Sequence, residues 1–487
     1  MPAQQAPTMQ QPQQLPLINQ TDNRDGTTNF DARLINGYGE QDGVTGQYQI
    51  YKRLGVKYTY NLGSLGTHLG QGLYSYAYWN SAVSVFGVAG QSLYCNGSLV
   101  GSVATGTSTT NRFRFSVIPI TSPIVILCNG GNDVYTVSAD GVTLTSVTPA
   151  FSNTLVPGVA TLDGTSYIMD ITGAIWGSPL NTPTWADSLN VILANADGSP
   201  GIALDRQLSY VIAFKRNITQ VFLDNGNPTG SPLAPVPEAI TPYGCADAGS
   251  IQSLDDILYW LTYNQSRSPQ IAMMQNLKTQ IISTPPVERL LQAALTGSYG
   301  SIHSSALKVA GHKFYILTVT GANLTLVYDS GQQLWSQWTD GAGNYWPWME
   351  STFDVNGKIL VQGDADGSIN FIDAAYVYPF DTNYAGITST PQVDIYTPNY
   401  SANINRVKVL NRMWFQADQT AGSVLYVRYS DNDYKTWSNF RQVDLSVSRP
   451  VLKDEGSFYK RAYHFRHLAK TSLRIRAVDL EYDIGTS

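Results

Sequence analysis

The sequence predicts an all-β protein: a β-propeller with a C-terminal β-sandwich-like domain and a short N-terminal arm. Three observations carry that prediction. From about residue 74 to 375, short runs rich in Val, Ile, Tyr and Thr recur between Gly, Asn and Asp turns. A single stretch in that region carries both the start and the stop signals of a helix. Residues 376–487 alternate apolar and polar positions, as half-buried strands do.

Taken in order, residues 1–16 ("MPAQQAPTMQQPQQLP") are Gln/Pro-rich, too poor in apolar side chains to fold alone, and predict a flexible arm. Residues 17–73 predict a hairpin region that ends in a Gly-rich connector, "NLGSLGTHLGQG". The propeller-like domain, 74–375, is a series of units such as "SLYCNGSLVGSV" and "DVYTVSADGVTLTSV", each read as two strands around a tight turn. Asn96-Gly97, Asp140-Gly141 and Asp366-Gly367 stand where type I′ turns belong. The units recur irregularly, roughly every 35 to 55 residues. An array of sandwiches would give similar strand signals; one four-stranded blade per unit is the favoured reading. Within this domain "STPPVERLLQAALTG" predicts a helix between blades, with Thr284 as cap, Pro285 in the first turn, and Leu290, Leu291, Ala294 and Leu295 as its apolar face. Gly297 is its stop.

The composition narrows the function classes. Charged residues make up 14% of the 487, against about 25% in ordinary soluble proteins. Thirty Tyr and ten Trp supply large side chains with polar tips, suited to extensive interfaces as well as to sheets. Residues 401–487 hold 14 Lys/Arg against 9 Asp/Glu, a balance of +5; the total of −6 leaves −11 for residues 1–400. Such a basic end suits an acidic partner or nucleic acid, although a charge-balanced β-domain with extra Arg would look the same. Cys95, Cys128 and Cys245 are widely spaced, so buried free thiols are expected rather than disulfides or a zinc site. No secretory signal is visible, and the most apolar stretch, "VIPITSPIVILC", is short and broken by two prolines. Stable membrane insertion is not expected.

No catalytic, cofactor or metal focus emerges. His464 and His467 are three apart, which puts them on opposite faces of a strand. "GDADGSINFID" lacks the ligand pattern of a calcium loop and predicts a turn closed by Asp and Gly. "YSDNDYKTWSNF", 429–440, is similar to the Asp-box turn of sialidases and other β-propellers, with Ser430, Thr436 and Trp437 in place. Asn432 holds its Asp position and Tyr434 its Gly position, and there is one copy. The expected role is structural: side chains close the turn and Trp437 packs beneath it. On that reading Trp437→Ala unfolds or detaches the C-terminal domain.

Four segments together resemble one family. "FDARLINGYGE" with "YQIYKRLGV" resembles an opening pattern of aromatic-x-x-R-x-x-N followed by K-R-x-G. "LSYVIAFKRNITQVFLDNG" with "YGCADAGSIQSLDDILYWLT" resembles paired blades; "SPQIAMMQNLKTQIISTPPVERLLQ" resembles a strand-to-helix connection; and "LVYDSGQQLWSQW" resembles a hairpin running to Trp335 and Trp338. The C-terminal "VLYVRYSDNDYKTWSNFRQVDL" and "YKRAYHFRHLAKTSLRIRAV", with Arg466, Arg474 and Arg476, complete the likeness. The family is the tail hub or nozzle (packaged-DNA stabilisation) proteins of short-tailed bacteriophages.

The resemblance implies a structural virion protein, made in the host cytoplasm and built into the tail. It implies a hexameric ring below the portal and its head-to-tail adaptor, extending and sealing the DNA channel until ejection. The implied partners are other copies of the chain, the adaptor, a tail spike or fibre, a tail needle or plug, and double-stranded DNA passing without sequence-specific binding. A propeller-type tail protein that binds or hydrolyses glycans is the alternative.

Overall fold

The hairpin units of the middle region close into a ring. The computed structural model describes residues 12–18, 22–23, 31–44, 46–62, 69–78, 83–103, 111–186, 189–227, 229–264, 267–354, 357–372, 381–382 and 388–485. Among the described residues, seven four-stranded antiparallel units follow one another, and the first strands of neighbouring units meet around the centre of the ring. These are Gly70–Ala77 (blade 1), Arg114–Ile118 (blade 2), Ala160–Leu162 (blade 3), Gly201–Gln207 (blade 4), Gln252–Leu254 (blade 5), Ile302–Val309 (blade 6) and Trp348–Phe353 (blade 7). Each sheet is covered on both faces by its neighbours. That is why central strands read as unbroken apolar runs such as Val125–Cys128 and Val211–Phe214, every residue 0% exposed.

Blade 7 is completed from a distance. Its chain supplies three strands, and the fourth is Val56–Tyr60, antiparallel to Ile369–Ile372. Blade 1 then seals against blade 7, where Gln362 Nε2 donates to Val88 O (2.9 Å) and Gly72 N donates to Gln362 Oε1 (3.0 Å). Leu62, Leu73, Ala89, Leu360 and Ile369 fill the apolar seam. The last three residues of the Gly-rich connector, 70–72, are therefore part of an inner strand. A Cβ at Gly70 would stand 2.4 Å from Gly363 O, so the close approach of two blades requires glycine there.

The expected turns separate into two kinds. Asn96 and Gly97 both have positive φ (49° and 84°), as a type I′ turn demands. Asp140 and Asp366 do not; only the glycines that follow them do. In those two loops the carboxylate accepts the backbone N–H two residues on, at Val142 and Ser368, so a side-chain-closed turn replaces type I′. The helix, Pro285–Ala294, links blades 5 and 6 and buries Val287, Leu290, Leu291 and Ala294. Thr284 is its N-cap by backbone geometry, but its hydroxyl makes no capping bond. Gln270 and Ser283 instead hold the first-turn Glu288 carboxylate.

Most of the remaining described strands form a two-sheet sandwich. One sheet runs Gly37–Gln41, Tyr48–Lys52, Arg474–Ile484, Lys408–Ala417, Val451–Lys453; the other runs Asp31–Ile35, Val393–Tyr396, Ala462–His467, Val424–Ser430, Arg441–Asp444. Ile50, Met413, Leu425, Phe465, Ile475, Val478 and Leu480, all 0% exposed, fill the space between them. Segment 17–73 thus supplies both sandwich sheets and blade 7, and the propeller is inserted into the sandwich. The end of the expected arm is also tied down: Gln13–Gln14 pair with Asp479–Leu480, and Leu15 and Leu17 are buried. Residues 1–11 lie outside the described residues.

Candidate functional site

Three polar constructions stand out against this apolar frame: a stacked outer face on the sandwich, a clamp between sandwich and propeller, and the propeller axis.

The outer face belongs to the second sandwich sheet. Because alternate side chains leave a strand on opposite sides, Tyr463 and Phe465 enter the core while His464 and Arg466 point out. His467 returns inward and shares a contact with Ser423 Oγ (3.0 Å). Cross-strand pairing aligns Arg33, Tyr396, His464 and Arg428 in one row. Arg33 lies over Tyr396 at 4.1 Å, Tyr396 stacks on His464 at 3.9 Å, and Arg428 sits over Trp437 and Phe440 at 5.1 and 4.5 Å. Arg428 Nε donates to His464 Nδ1 (2.9 Å), so the opposite nitrogen, Nε2, carries the proton toward Asp394 (2.6 Å). His464 is accordingly neutral; burial, with Arg428 and Arg466 nearby, pushes its pKa down to about 4. Burial opposes ionisation of Asp394, yet bonds from His464, Gln392 and Arg466 outweigh it and hold the carboxyl below the usual range.

The 429–440 hairpin caps one end of this row. Ser430 Oγ donates to Asn432 Oδ1 and accepts from Tyr434 N, while Asn432 takes Thr436 N (2.9 Å) and donates to Thr436 Oγ1 (2.7 Å). Tyr434 occupies the Gly position with φ 65°, and its hydroxyl reaches Thr397 O. Trp437 is half-buried on the outer face against Tyr396, Tyr434 and His464. It is not part of the core between the sheets, so Trp437→Ala is now expected to give a local loss in place of unfolding or detaching the domain.

The other sequence-derived candidates scatter. Arg474 and Arg476 leave the opposite sheet toward Asp418 (3.8 and 2.9 Å). Trp335 is buried on blade 6 and donates to Ile282 O. Trp338 is buried between blade 6 and the sandwich, beside Trp346 and Phe314.

The clamp uses Arg33, Asn36, Lys52 and Arg53, the four polar residues that define the "FDARLIN…YKRLG" pattern, together with Asp31. Arg33 pairs with Asp31. Asn36, left-handed at φ 54°, donates to Thr339 Oγ1 and Gln392 O and accepts from Thr339 N. Arg53 spends its guanidinium on Asp381 (3.0 and 2.6 Å), Asn36 Oδ1, Leu54 O and Thr339 O, with no side-chain exposure. Lys52 donates to Ala469 O (2.9 Å) and Thr471 O (3.4 Å); burial, with Arg53 adjacent, lowers its pKa to about 7. Sandwich, blade 6 and the strand that closes blade 7 meet at these side chains. The sequence pattern contained all four residues, but gave no sign that they face one another.

At the propeller axis, Arg114 from blade 2 reaches across to donate to Ala248 O and Ile251 O (2.8 and 2.7 Å). It stands between two cavities. One, of about 410 Å³, is lined by Arg112, Asp247 and Ser301; the other, of about 280 Å³, by Asp205, Gln252 and Glu350. Arg112 is held by Gly70 O and Asp364 (3.1 and 3.0 Å). No local signal marks Arg114, Asp205 or Glu350 in the sequence, since blades far apart in the chain bring them together. Among the described residues, no group of three His, Cys, Asp or Glu side chains could hold a metal ion. The three cysteines are free and buried. No helix among the described residues is long and apolar enough to cross a membrane.

Comparison with known proteins adds the following. A family model described as bacteriophage P22 Gp10, beta-propeller, matches residues 62–376, the seven blades less the strand at 56–60. Among curated proteins, none matches the sequence. Solved structures to which the chain is similar include a streptogramin B lyase (12% identity, 64% of this chain and 96% of that one, TM-score 0.41) and a computationally designed protein, Ika8 (11%, 65% and 99%, 0.37). Likenesses this slight carry no argument about activity.

Proposed function

The chain belongs to the bacteriophage P22 Gp10 β-propeller family of phage tail structural proteins, and from that premise we propose that it is one subunit of a hub or nozzle ring below the portal and its adaptor. The observation that carries the proposal is the family match across the ring of blades. The architecture agrees with such a role. A ring subunit has to resist the pressure of packaged DNA, and here both termini of the propeller are bonded into one sandwich through buried polar contacts.

Six copies would carry 6 × −6 = −36 formal charges. Acidic residues of 1–400 then line the channel, because a basic wall would bind phosphates and arrest the DNA. The stacked face around Arg428 and Arg466 turns away from that channel toward the adaptor or a neighbouring copy. Arg428 suits an acidic contact: two aromatic rings hold it in place, and among the described residues it has no carboxylate partner. Other faces dock the spike or fibre and the needle or plug, and the closed channel retains the genome until ejection.

The test mixes the chain with its portal–adaptor assembly and images the product by negative stain. A sixfold ring capping the adaptor is expected. A chain that stays monomeric in the presence of the assembled adaptor overturns the reading.

A further inference from the structure

The smaller axial cavity holds more carboxylate than its cation neutralises. Its polar wall is Arg114, Asp205, Gln252 and Glu350, and its apolar wall includes Tyr74 and Phe115, stacked at 5.4 Å and 5°. Glu350 is 6% exposed. Its Oε2 accepts from Gln252 Nε2 (3.0 Å), while Oε1 accepts no hydrogen bond. Arg114 Nη1 is the nearest cation to that oxygen, at 3.8 Å, too far to donate. The other guanidinium nitrogen, Nη2, is committed to Ala248 O and Ile251 O. Among the described residues, Asp205 accepts only from the N–H of Arg206 (2.7 Å). Two carboxylates thus face one guanidinium, leaving one negative charge uncompensated beside the buried Glu350 side chain. Burial raises the Asp205 carboxyl above its usual range against the pull of Arg114.

The backbone has been bent to present one of these groups. The pairing of Trp348–Phe353 with Ile359–Gly363 shifts register between Met349 and Ser351, and the extra residue is Glu350, at φ 42°. A bulge re-aims a side chain, and a non-glycine residue in the left-handed region persists only where the surroundings hold it there.

We propose that this cavity binds an alkylammonium group, its ammonium held between Asp205 and Glu350 Oε1 and its stem against the Tyr74–Phe115 pair. The chemistry favours that class. An ammonium brings three donors to oxygens that lack them, and its positive charge restores neutrality. A hard divalent cation would want six or more oxygens, and the cavity's two carboxylates fall short of that. Adjacent aromatic faces add attraction for a cation that carries a hydrocarbon stem. The ammonium can come from a free alkylamine or from a lysine presented by a protein partner. This inference does not depend on the tail assignment.

Calorimetric titration and thermal shift of the full chain at pH 7.5 test it, with n-butylammonium, neutral 1-butanol, and a capped tetrapeptide containing one lysine as probes. Saturable binding of the amine or the peptide is expected, with none for butanol; which of the two binds identifies the source. Asp205→Asn should weaken binding at least about tenfold, or about 1.4 kcal/mol, and Glu350→Gln should do the same. If Glu350→Gln fails to fold, Asp205→Asn carries the test, because its only bond is to a neighbouring backbone N–H. The proposal is overturned if neither cationic probe binds, if butanol acts like butylammonium, or if folded Asp205→Asn binds as tightly as the parent.

Discussion

Replacing Arg53 with Met removes five hydrogen bonds at once: two to Asp381 and one each to Asn36 Oδ1, Leu54 O and Thr339 O. The site cannot relax by admitting water, since the Arg53 side chain is 0% and that of Asp381 4% exposed. What remains is a buried carboxylate whose Oδ1 keeps the N–H of Val56 (3.0 Å). Deleting one member of such a pair costs about 3–5 kcal/mol, much of it from the charge left behind. Unfolding entropy of about 2.1 cal/mol/K per residue gives roughly 1 kcal/mol/K for 487 residues. Scanning calorimetry should therefore show a fall of about 3–5 °C if propeller and sandwich melt together, and a larger fall in one transition if they melt apart. The double variant Arg53→Met with Asp381→Leu should recover part of that loss, because no orphan charge is left. A shift below about 1 °C in Arg53→Met, or a double variant that loses the sum of the two single effects, would refute the clamp.

Three further outcomes follow from the same structure. Burial pushes the pKa of His303 and His467 down to about 3 and that of His464 to about 4. The unfolded chain therefore binds more protons than the folded one from about pH 6.5 down to those values, and stability is lost as pH falls through this window. Urea titrations at pH 7 and pH 5 should differ by about 2 kcal/mol for each such histidine, and His303→Leu should remove one share; equal stability at both pH values would contradict the assignment. Trp437→Ala should cost about 2 kcal/mol, below the 3–5 typical of a core Trp, leaving the sandwich folded by limited proteolysis; wholesale digestion would show that Trp437 supports the core. Gly158→Ala places a Cβ 1.9 Å from Leu204 O at φ 123°, so blades 3 and 4 must separate, at a cost above about 4 kcal/mol. Soluble yield and thermal midpoint would report it, and a parent-like midpoint would count against the packing described.

Local features were legible in the sequence because short-range forces set them. The Asn96-Gly97 turn needs two positive φ values and has the residues that tolerate them. The helix at 285–294 has the apolar period that buries Val287, Leu290, Leu291 and Ala294. Tyr463 and Phe465 alternate with His464 and Arg466 because one face of their sheet packs on the apolar core and the other carries the polar stack. The Asp-box-like turn is likewise a local network, closed by Ser430, Asn432 and Thr436 without the usual Asp or Gly.

Tertiary structure decided what those local units meet. A strand's pattern records which faces are buried, not which distant strand supplies its hydrogen bonds. Nothing in Val56–Tyr60 says that it completes a blade formed about three hundred residues later, or that Asp31–Ile35 and Tyr48–Lys52 enter different sheets of one sandwich. The Arg53–Asp381 clamp and the axial group of Arg114, Asp205 and Glu350 arise from that long-range closure alone. By itself the sequence determined the class of fold, its hairpins and its polar outer strands, because turn geometry and face burial are written residue by residue. Ring closure at seven blades, the insertion of propeller into sandwich, and the charged axis came only with the tertiary structure, because each depends on groups that no local pattern brings together.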